Sequence, residues 1–470
     1  MSEFIYTYAN ILISPYKFEK IIDLKLTQEL NEHSRLYISG IIHEENVDQY
    51  VENANNNEKI EVHLKNENNT CVLFKGIVTN IAVKAIDNVR SITIEALSPT
   101  FLMDIKKKSR SFQNKNSKYN EIFNSITAEY PNASAIDEIS KGKSIQGLLV
   151  QYNETDWEFI KRLASHFNAP LVSKCTFDGA KYYIGISDST KKCNIDEFNY
   201  SIKKDLKAYK IKSENDIQGI KEQNLISYEI TSNKILELCS PVEFKNRTLY
   251  VFKAEIEMKN GILLNKYILR DKKGLSRRKI YNYSLTGASI FGNILDVSKD
   301  MVKVHLEIDK NQPKNEAMWF EYSTVYSSPD GSGWYCMPEI GDKVRLYFPD
   351  EKEKNAFTAS SVNLASSDTT KRSDPSIKSI STKYGKQILF KKGAIEIIGN
   401  GKMLMRLTDS GGIEINSNKK ISLSALDDIE INGGSKIVIQ GDSGIDLKQA
   451  NATLSILDDV TISGAKVNIE

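Results

Sequence analysis

The chain has 470 residues, of which 40% are apolar and 26% are charged, and its formal net charge is +2. This length predicts about three domains, and the composition is that of a soluble globular protein. The small net charge argues against a dedicated nucleic-acid binder, which usually has a strongly basic face.

The first 284 residues mix strand patterns with helix patterns. Residues 11–42 and 59–96 alternate between apolar and polar positions, which predicts strands with one buried face. Tyr119–Glu129 and Trp157–Phe167 carry apolar residues at three- and four-residue spacing, which predicts two helices. Thr155, with a glutamate three residues later, predicts a capping box at the start of the second helix.

Residues 285–364 have the pattern of a compact all-β domain. Apolar residues alternate along one strand at Val302, Val304, Leu306 and Ile308. Further strand-like segments follow at 319–322, 341–348 and 356–359, separated by glycine and proline. About five strands in roughly eighty residues suit a small barrel of the OB type. A polar connector follows at residues 365–378.

The C-terminal region is a repeat. From Met405 to Ile445, pairs of the form apolar-x-apolar begin every eight residues, and a less regular version continues to Ile469. Each pair predicts a short strand with one buried face, and turn-forming residues lie between the pairs. The predicted core residues are Met405, Leu407, Ile413, Ile415, Ile421, Leu423, Ile429, Ile431, Ile437, Ile439, Ile445, Leu447, Val460, Ile462, Val467 and Ile469.

This repeat predicts a shared core between chains. One strand with two apolar residues has no core of its own, so its neighbours must supply one. Eight residues of one chain are too few to form a complete coil of a β-helix around a filled interior. Three chains that each contribute one side would complete the coil. We therefore predict an intertwined homotrimeric triple-stranded β-helix, or prism, over residues 379–470. Closure would also remove free strand edges.

Three motifs in this order resemble VgrG-type spike proteins of type VI secretion and phage tail hub–spike proteins, including the late control protein D group. Residues 109–113 are similar to the segment that follows the first hub barrel of that family. The hub motif consists of Tyr152, Glu154, Asp156, Trp157, Phe159 and Arg162. The OB motif consists of Pro338, Gly341, Asp342 and Val344, and looks like the P-x-x-G-[DEQ]-x-V strand of the family's OB domain.

The resemblance implies a mainly β fold and a mechanical task. The hub, residues 1–284, would hold two small β-barrels at roughly 1–105 and 150–284, and three chains would form a pseudo-sixfold ring that matches a hexameric inner tube protein. The trimer would cap that tube, contact baseplate proteins, carry effectors, and enter the target membrane transiently when a sheath contracts. The resemblance implies neither an enzymatic activity nor a cofactor.

The sequence departs from some relatives at its tip. The last histidine is His305, so an iron-binding His-x-His tip is absent and we predict no metal site. The connector is too short for the lysozyme domain of some phage spikes. We expect a separate PAAR-like tip protein to dock on Val467, Asn468, Ile469 and Glu470.

Two alternative functions stay open. A tail-associated adhesin that binds glycans would need exposed aromatic residues on the prism, yet residues 405–470 contain no Phe, Tyr or Trp. A cell-wall-degrading tail enzyme would need a cleft with paired carboxylates. The basic runs Lys106–Arg110 and Arg277–Lys279 predict solvated loops or contacts with an acidic tube or baseplate surface.

The sequence also predicts the compartment. Residues 1–10 lack the layout of a signal peptide, and no apolar stretch approaches the ~18–20 residues that span a bilayer. Five scattered cysteines without a CxxC pair indicate reduced core residues. We expect a protein that is made in the cytoplasm, assembled into a tail-like particle, and delivered outside on contraction.

Overall fold

The described chain is mainly β, as the alternating sequence pattern predicts. The computed structural model describes residues 4–42, 47–66, 69–87, 89–187, 192–215, 217–364, 368, 370–400, 403–456 and 466. The helices in these ranges are Val47–Glu52 (α1), Tyr119–Thr127 (α2), Asp156–Ser165 (α3) and Leu206–Ser213 (α4). None of them is long and apolar enough to cross a membrane. The chain divides into unit 1, residues 1–364, and unit 2, residues 365–470.

Unit 1 carries the first 22 strands. Their bounds are Ile11–Ser14 (β1), Phe18–Glu29 (β2), Arg35–Ile42 (β3), Lys59–Lys65 (β4), Thr70–Ile86 (β5), Val89–Leu97 (β6), Lys108–Phe112 (β7), Ser134–Asp137 (β8), Leu149–Glu154 (β9), Leu171–Lys174 (β10), Lys181–Ile184 (β11), Cys193–Asn194 (β12), Tyr200–Lys204 (β13), Ile226–Ser232 (β14), Pro241–Phe244 (β15), Arg247–Lys259 (β16), Ile262–Arg270 (β17), Ser289–Ser298 (β18), Met301–Leu306 (β19), Trp319–Ser323 (β20), Lys343–Tyr347 (β21) and Phe357–Ala359 (β22).

One 12-stranded sheet contains most strands of the predicted hub. Its main path is β1-β4-β5-β6-β3-β2-β16-β17-β14-β13, with β12 and β15 attached through β16. The two halves are joined where β2 and β16 pair antiparallel, with Thr27 opposite Glu255. The pairing of these two long strands joins the regions of the two predicted hub barrels in one continuous sheet, and the two-barrel arrangement stays a prediction.

Each half of this sheet still has its own hydrophobic core. The core of the first half gathers side chains from β1 to β6, but Ile256, Met258 and Leu263 of the second half complete it. The core of the second half includes Val251, Tyr267 and other buried side chains of β14–β17. Burial of alternate residues along each strand explains why the sequence alternates.

A smaller layer holds the predicted helices. Both predicted helices exist, as α2 and α3, and their apolar faces enclose a third core that includes Trp157. The three-stranded sheet β10-β11-β8 and the pair β7–β9 lie beside them. The capping box is confirmed, since Thr155 Oγ1 accepts from the Glu158 amide at 3.1 Å and the Thr155 amide donates to Glu158 Oε2 at 2.9 Å.

The predicted OB barrel is confirmed. Strands β18, β19, β20, β22 and β21 close in that order. The alternating residues Val302, Val304 and Leu306 point into its core and are fully buried. The predicted strand segments coincide with β19 to β22 within a few residues.

Unit 2 contains two groups of strands among its described residues. Its strands are Lys378–Ser381 (β23), Gln387–Lys391 (β24), Ala394–Ile398 (β25), Leu404–Thr408 (β26), Gly412–Asn416 (β27), Ile445–Gln449 (β28) and Ala452–Ile456 (β29). The first five form an antiparallel sheet in sequence order, and the last two form a hairpin. Residues 417–444 carry no strand in the single chain.

Candidate functional site

The hub motif is a buried ionic cluster centred on Arg162. This side chain, on α3, is 1% exposed. Its Nε and Nη2 donate to the two Glu154 carboxylate oxygens at 2.8 Å each, and Nη2 also donates to the Val150 carbonyl at 2.7 Å. Its Nη1 donates at 2.6 Å to Glu353, in the OB domain. One guanidinium therefore ties together strand β9, helix α3 and the barrel.

Arg162 shares its guanidinium between two carboxylates, and this sharing explains the direction in which the pKa values of Glu154 and Arg162 are shifted. Burial raises the pKa of Glu154, and the hydrogen bonds and charge of Arg162 oppose this rise only in part. Burial would lower the pKa of Arg162, but Glu154 and Glu353 outweigh it and raise that pKa. The cluster therefore depends on the cation of Arg162.

A second ionic cluster surrounds Asp156, which is fully buried. Its carboxylate accepts from Tyr130 Oη at 2.7 Å, Gln151 Nε2 at 3.0 Å and Lys108 Nζ at 2.5 Å, and it also pairs with Arg110. Burial would raise the pKa of Asp156, but the hydrogen bonds from Lys108, Tyr130 and Gln151 lower it. Lys108 and Arg110 belong to the basic run predicted as a solvated loop or a partner contact; that prediction is wrong for these two residues.

The aromatic members of the hub motif pack between the elements. The Trp157 indole donates to the Asn31 carbonyl at 3.3 Å, and its ring lies 4.9 Å from that of His33. Phe159 stacks on Phe112 at 5.8 Å between ring centroids. Tyr152 packs against the core of the OB barrel. The motif therefore connects the 12-stranded sheet, the helical layer and the barrel.

The segment 109–113 makes a second connection to the barrel. The Ser111 amide and hydroxyl each donate to Asp309 at 2.6 Å. Gln113, which is almost fully buried, donates to the Val304 carbonyl at 3.1 Å and accepts from the Met318 amide at 3.2 Å. Two of the three sequence motifs thus build one hub–OB junction, which we define by Ser111, Gln113, Arg162, Asp309 and Glu353.

The OB motif forms a turn that leads into β21. Asp342 closes it, since its carboxylate accepts from the Glu339 amide at 2.8 Å and its carbonyl accepts from the Ile294 amide at 2.9 Å. Pro338 and Val344 are buried. Gly341 has φ +95°, a conformation that L side chains rarely adopt, and a Cβ there would meet no atom within 4 Å.

We expect Gly341→Ala to lower the free energy of unfolding by about 1–2 kcal/mol, because the Cβ of an alanine at positive φ lies too close to the backbone carbonyl oxygen that follows it. Urea denaturation of the variant measures this loss. Gly147→Ala is the matched control, since Gly147 also has open space for a Cβ but no positive φ. Equal stability of the two variants would contradict the argument from backbone strain.

Unit 2 presents a one-sided apolar face. The strand register places Phe390, Ile395, Leu407 and Ile413 in one row across β24–β27. A second row on the same face holds Ile380, Ile388, Ile397, Met405 and Ile415. Within the single chain these nine side chains cover no core: Ile397 is 45% exposed and Ile413 is 68% exposed. We call this surface the apolar face.

The opposite face of the same sheet carries an ionic network beside the apolar residues Leu389, Ile398 and Leu404. Glu396 accepts from Lys391 at 2.7 Å and from Arg406 at 3.0 Å, and Arg406 lies 3.4 Å from Glu414. The hydrogen bond from Lys391 lowers the pKa of Glu396. The two faces of the sheet therefore differ, since these ion pairs lie on only one of them.

The remaining predicted prism residues divide into three groups. The octad residues from Ile421 to Ile439 lie outside regular strands and are exposed in the single chain. Ile445 and Leu447 lie in β28. Val460, Ile462, Val467, Asn468, Ile469 and Glu470, which include the predicted tip-docking residues, lie outside the described residues. The intertwined three-chain prism stays a prediction.

A hydrogen-bonded series Asp104–His33–Thr100 has the order of a catalytic triad. His33 Nδ1 lies 2.8 Å from Thr100 Oγ1, and its Nε2 lies 3.2 Å from Asp104 Oδ2. Thr100 is fully buried, so no substrate reaches its hydroxyl. His166 lies at the end of α3 with Nδ1 3.1 Å from Tyr119 Oη, and burial lowers the pKa of His166 to about 3. Both histidines act here as packing residues.

Two family models match parts of the chain. Residues 292–362 match the type VI secretion system/phage-baseplate injector OB domain, which is the closed barrel described above. Residues 55–176 match the Alg8 N-terminal domain. This second range begins before β4 and ends after β10, so it coincides with no compact unit of the structure. No curated protein matches the chain.

Solved structures share the fold. The E. coli c3393 protein is described as a component of the type VI secretion system with structural similarity to the T4 bacteriophage tail proteins gp27 and gp5. It matches with a TM-score of 0.52 at 11% identity, over 75% of this chain and 99% of its own. The Francisella PdpA–VgrG complex, half-lidded, matches with a TM-score of 0.52 at 10% identity, over 87% of both chains. Its lidded form gives 0.54 at 11% identity, over 86% of this chain and 79% of that chain. The expected resemblance to VgrG-type and phage tail proteins is thus confirmed at the level of fold.

Proposed function

We propose that the chain is the trimeric spike at the tip of a contractile injection apparatus, where it caps the inner tube and pierces the target envelope. The apolar face is the observation that carries this proposal. Large exposed apolar patches mark sites of protein association. Full burial of such a side chain contributes roughly 1.5–3 kcal/mol, and the nine are already about half covered in the single chain. Covering the rest would stabilise an assembly by about 7–14 kcal/mol per chain before entropy is subtracted.

Other copies of the same chain are the simplest partner that could cover the apolar face. The apolar pairs continue beyond the sheet to Leu447 with the same eight-residue spacing, so a partner must repeat at the same spacing. A second and third copy of the chain meet that condition without any other protein. The ionic side of the sheet, with Glu396 and Arg406, would then face water.

The hub–OB junction supports a mechanical role. A spike that is driven into an envelope must transmit force from its hub to its shaft. Buried charge-assisted hydrogen bonds such as Arg162–Glu353 resist displacement, because breaking one leaves a buried charge without a partner. The shared fold with type VI secretion and phage tail proteins supports a structural role over an enzymatic one. An adhesin or a cell-wall-degrading enzyme would leave the junction and the apolar face unexplained.

The remaining partners follow from this role. The trimer would sit on a hexameric inner tube protein, contact baseplate proteins and carry effectors, and a PAAR-like protein would close its tip. The chain would be made in the cytoplasm, join a tail-like particle there, and pass the target membrane transiently on contraction.

Two measurements test the proposal. Light scattering should give a molar mass of about three times the chain mass of 53.1 kDa. Antibody-gold labelling of sheath-bearing particles from the source cells should mark one end of each particle. A monomer at micromolar concentration, or label spread along the sheath, would overturn it.

A further inference from the structure

Two arginines lie against the Phe252 ring on the second half of the hub sheet, and Lys212 lies near both of them. The Arg270 guanidinium, at the end of β17, lies 4.1 Å from the centroid of the Phe252 ring, and that of Arg277 lies 5.5 Å from it. Lys212, on α4, donates to the carbonyl of Gly274, which lies in the turn between the two arginines. All three side chains are half-buried.

These cations lack carboxylate partners among the residues that the structure describes. Asp271, the nearest acid in sequence, is occupied by the Lys273 amide at 2.8 Å and by Asn224 Nδ2 at 2.9 Å. Asp205 caps α4 by accepting from the Ala208 amide at 2.9 Å. Glu29 and Glu32 also face the arginines, but neither comes within ion-pair distance of them in the described part of the chain.

One buried donor of the cluster has no acceptor. Arg277 Nε is buried and has no hydrogen-bond partner in the structure. Arg277 uses Nη2 on the Leu30 carbonyl at 3.1 Å, and Arg270 uses Nε on Ser227 Oγ at 2.6 Å. A buried donor without an acceptor costs about 1–3 kcal/mol, so the cluster is incomplete as it stands.

The ionisation of the cluster agrees with this geometry. Burial, followed by the charges of Arg277 and Arg270, lowers the pKa of Lys212 to about 8. Burial also lowers the pKa of each arginine, and the charge of Arg277 lowers that of Arg270 further. An added anion would relieve the repulsion of three cations.

We propose that Arg270, Arg277 and Lys212 form a binding site for a phosphate-type oxyanion. Guanidinium groups donate paired, parallel N–H bonds that match phosphate oxygens, and a lysine ammonium adds a point charge. The Phe252 ring holds the two guanidinium planes in place. This site rests on unit 1 alone and does not depend on the spike function.

Inorganic phosphate is the first probe, titrated at constant ionic strength against chloride in the full chain. We expect 10 mM phosphate to raise the unfolding temperature by roughly 2–5 °C. Arg277→Gln should abolish this rise. Arg278→Gln is the matched control, because Arg278 is the next residue, carries the same charge and is exposed; it should keep the rise. An equal rise in both variants would overturn the site.

A chemical readout separates binding from a general effect on folding. Bound phosphate favours the charged form of Lys212, so acylation of Lys212 by an amine-reactive ester at pH 8 should slow at least threefold. The exposed Lys207 on the same helix should react at an unchanged rate. Unchanged acylation of Lys212 would also count against the proposal.

Phosphate could reach this site free or as a lipid headgroup. Flotation with phosphatidylglycerol vesicles, compared with phosphatidylcholine vesicles, separates the two sources. Flotation lost in Arg277→Gln would assign a lipid phosphate, and a thermal response without flotation would assign a free phosphate. Failure of both arms overturns the proposal.

Discussion

Arg162→Met should lower the free energy of unfolding of unit 1 by about 3–5 kcal/mol at neutral pH. The substitution keeps an unbranched side chain in the core but leaves Glu154 and Glu353 buried beside each other without their cation. Removing one partner of a buried ion pair costs about this much. Urea denaturation followed by tryptophan fluorescence measures it, because Trp157 lies on the same helix.

The pH dependence of this loss identifies its cause. Without Arg162, burial raises the pKa of Glu154 further above its unfolded value, so the folded variant binds a proton more readily than the unfolded chain. Such a group contributes stability below its unfolded pKa and loses it as the pH rises. The deficit of the variant should therefore shrink when the pH is lowered from 7 to about 4.5.

Lys161→Met provides the control for Arg162→Met. Lys161 is the preceding residue on α3 and carries the same charge, but it is not part of the Glu154–Glu353 cluster. Its replacement should change the free energy of unfolding by less than about 0.5 kcal/mol. A loss below 1 kcal/mol in Arg162→Met, or one that does not depend on pH, would show that the cluster does not hold the barrel to the hub.

Ile415→Asp should convert the proposed trimer into monomers. Ile415 lies on the apolar face, opposite Met405 in the register. In a threefold assembly the substitution would bring three carboxylates into one dry interior, and each buried charge without a partner costs several kcal/mol. Light scattering should then give a mass near 53.1 kDa instead of three times that value.

Asn416→Asp tests the face and not merely the charge. Asn416 is the next residue of β27, so its side chain lies on the opposite, ionic face of the sheet. The same aspartate there should leave the mass unchanged. Dissociation of both variants, or of neither, would show that the apolar face is not the surface that joins the copies.

The sequence predicted what depends on local pattern. Four of the five strands of the OB barrel, β19 to β22, follow from alternation within each strand and from turn residues between strands. The helix that starts after Thr155 follows from a cap whose two hydrogen bonds span three residues. These features depend on residues that are close in sequence, so the sequence pattern alone predicts them.

The hub–OB junction could not be predicted in the same way. Arg162 and Glu353 are 191 positions apart, and Ser111 and Asp309 are 198 apart. Glu353 sits in a charged stretch that resembles ordinary surface, and Lys108 resembles a solvated lysine until it meets the buried Asp156. The hub motif was recognised by resemblance, but its physical role depends on residues that only folding brings together.

The pairing of β2 with β16 constrains how such a protein can be cut and recombined. Ile256, Met258 and Leu263 fill a core built mainly from the first hundred residues, so the first half of the hub has no complete interior of its own. A chimera joined within the hub would inherit two mismatched halves and expose both. Crossovers after Leu364, where the compact unit ends, would instead exchange unit 2 and leave the cores of unit 1 intact.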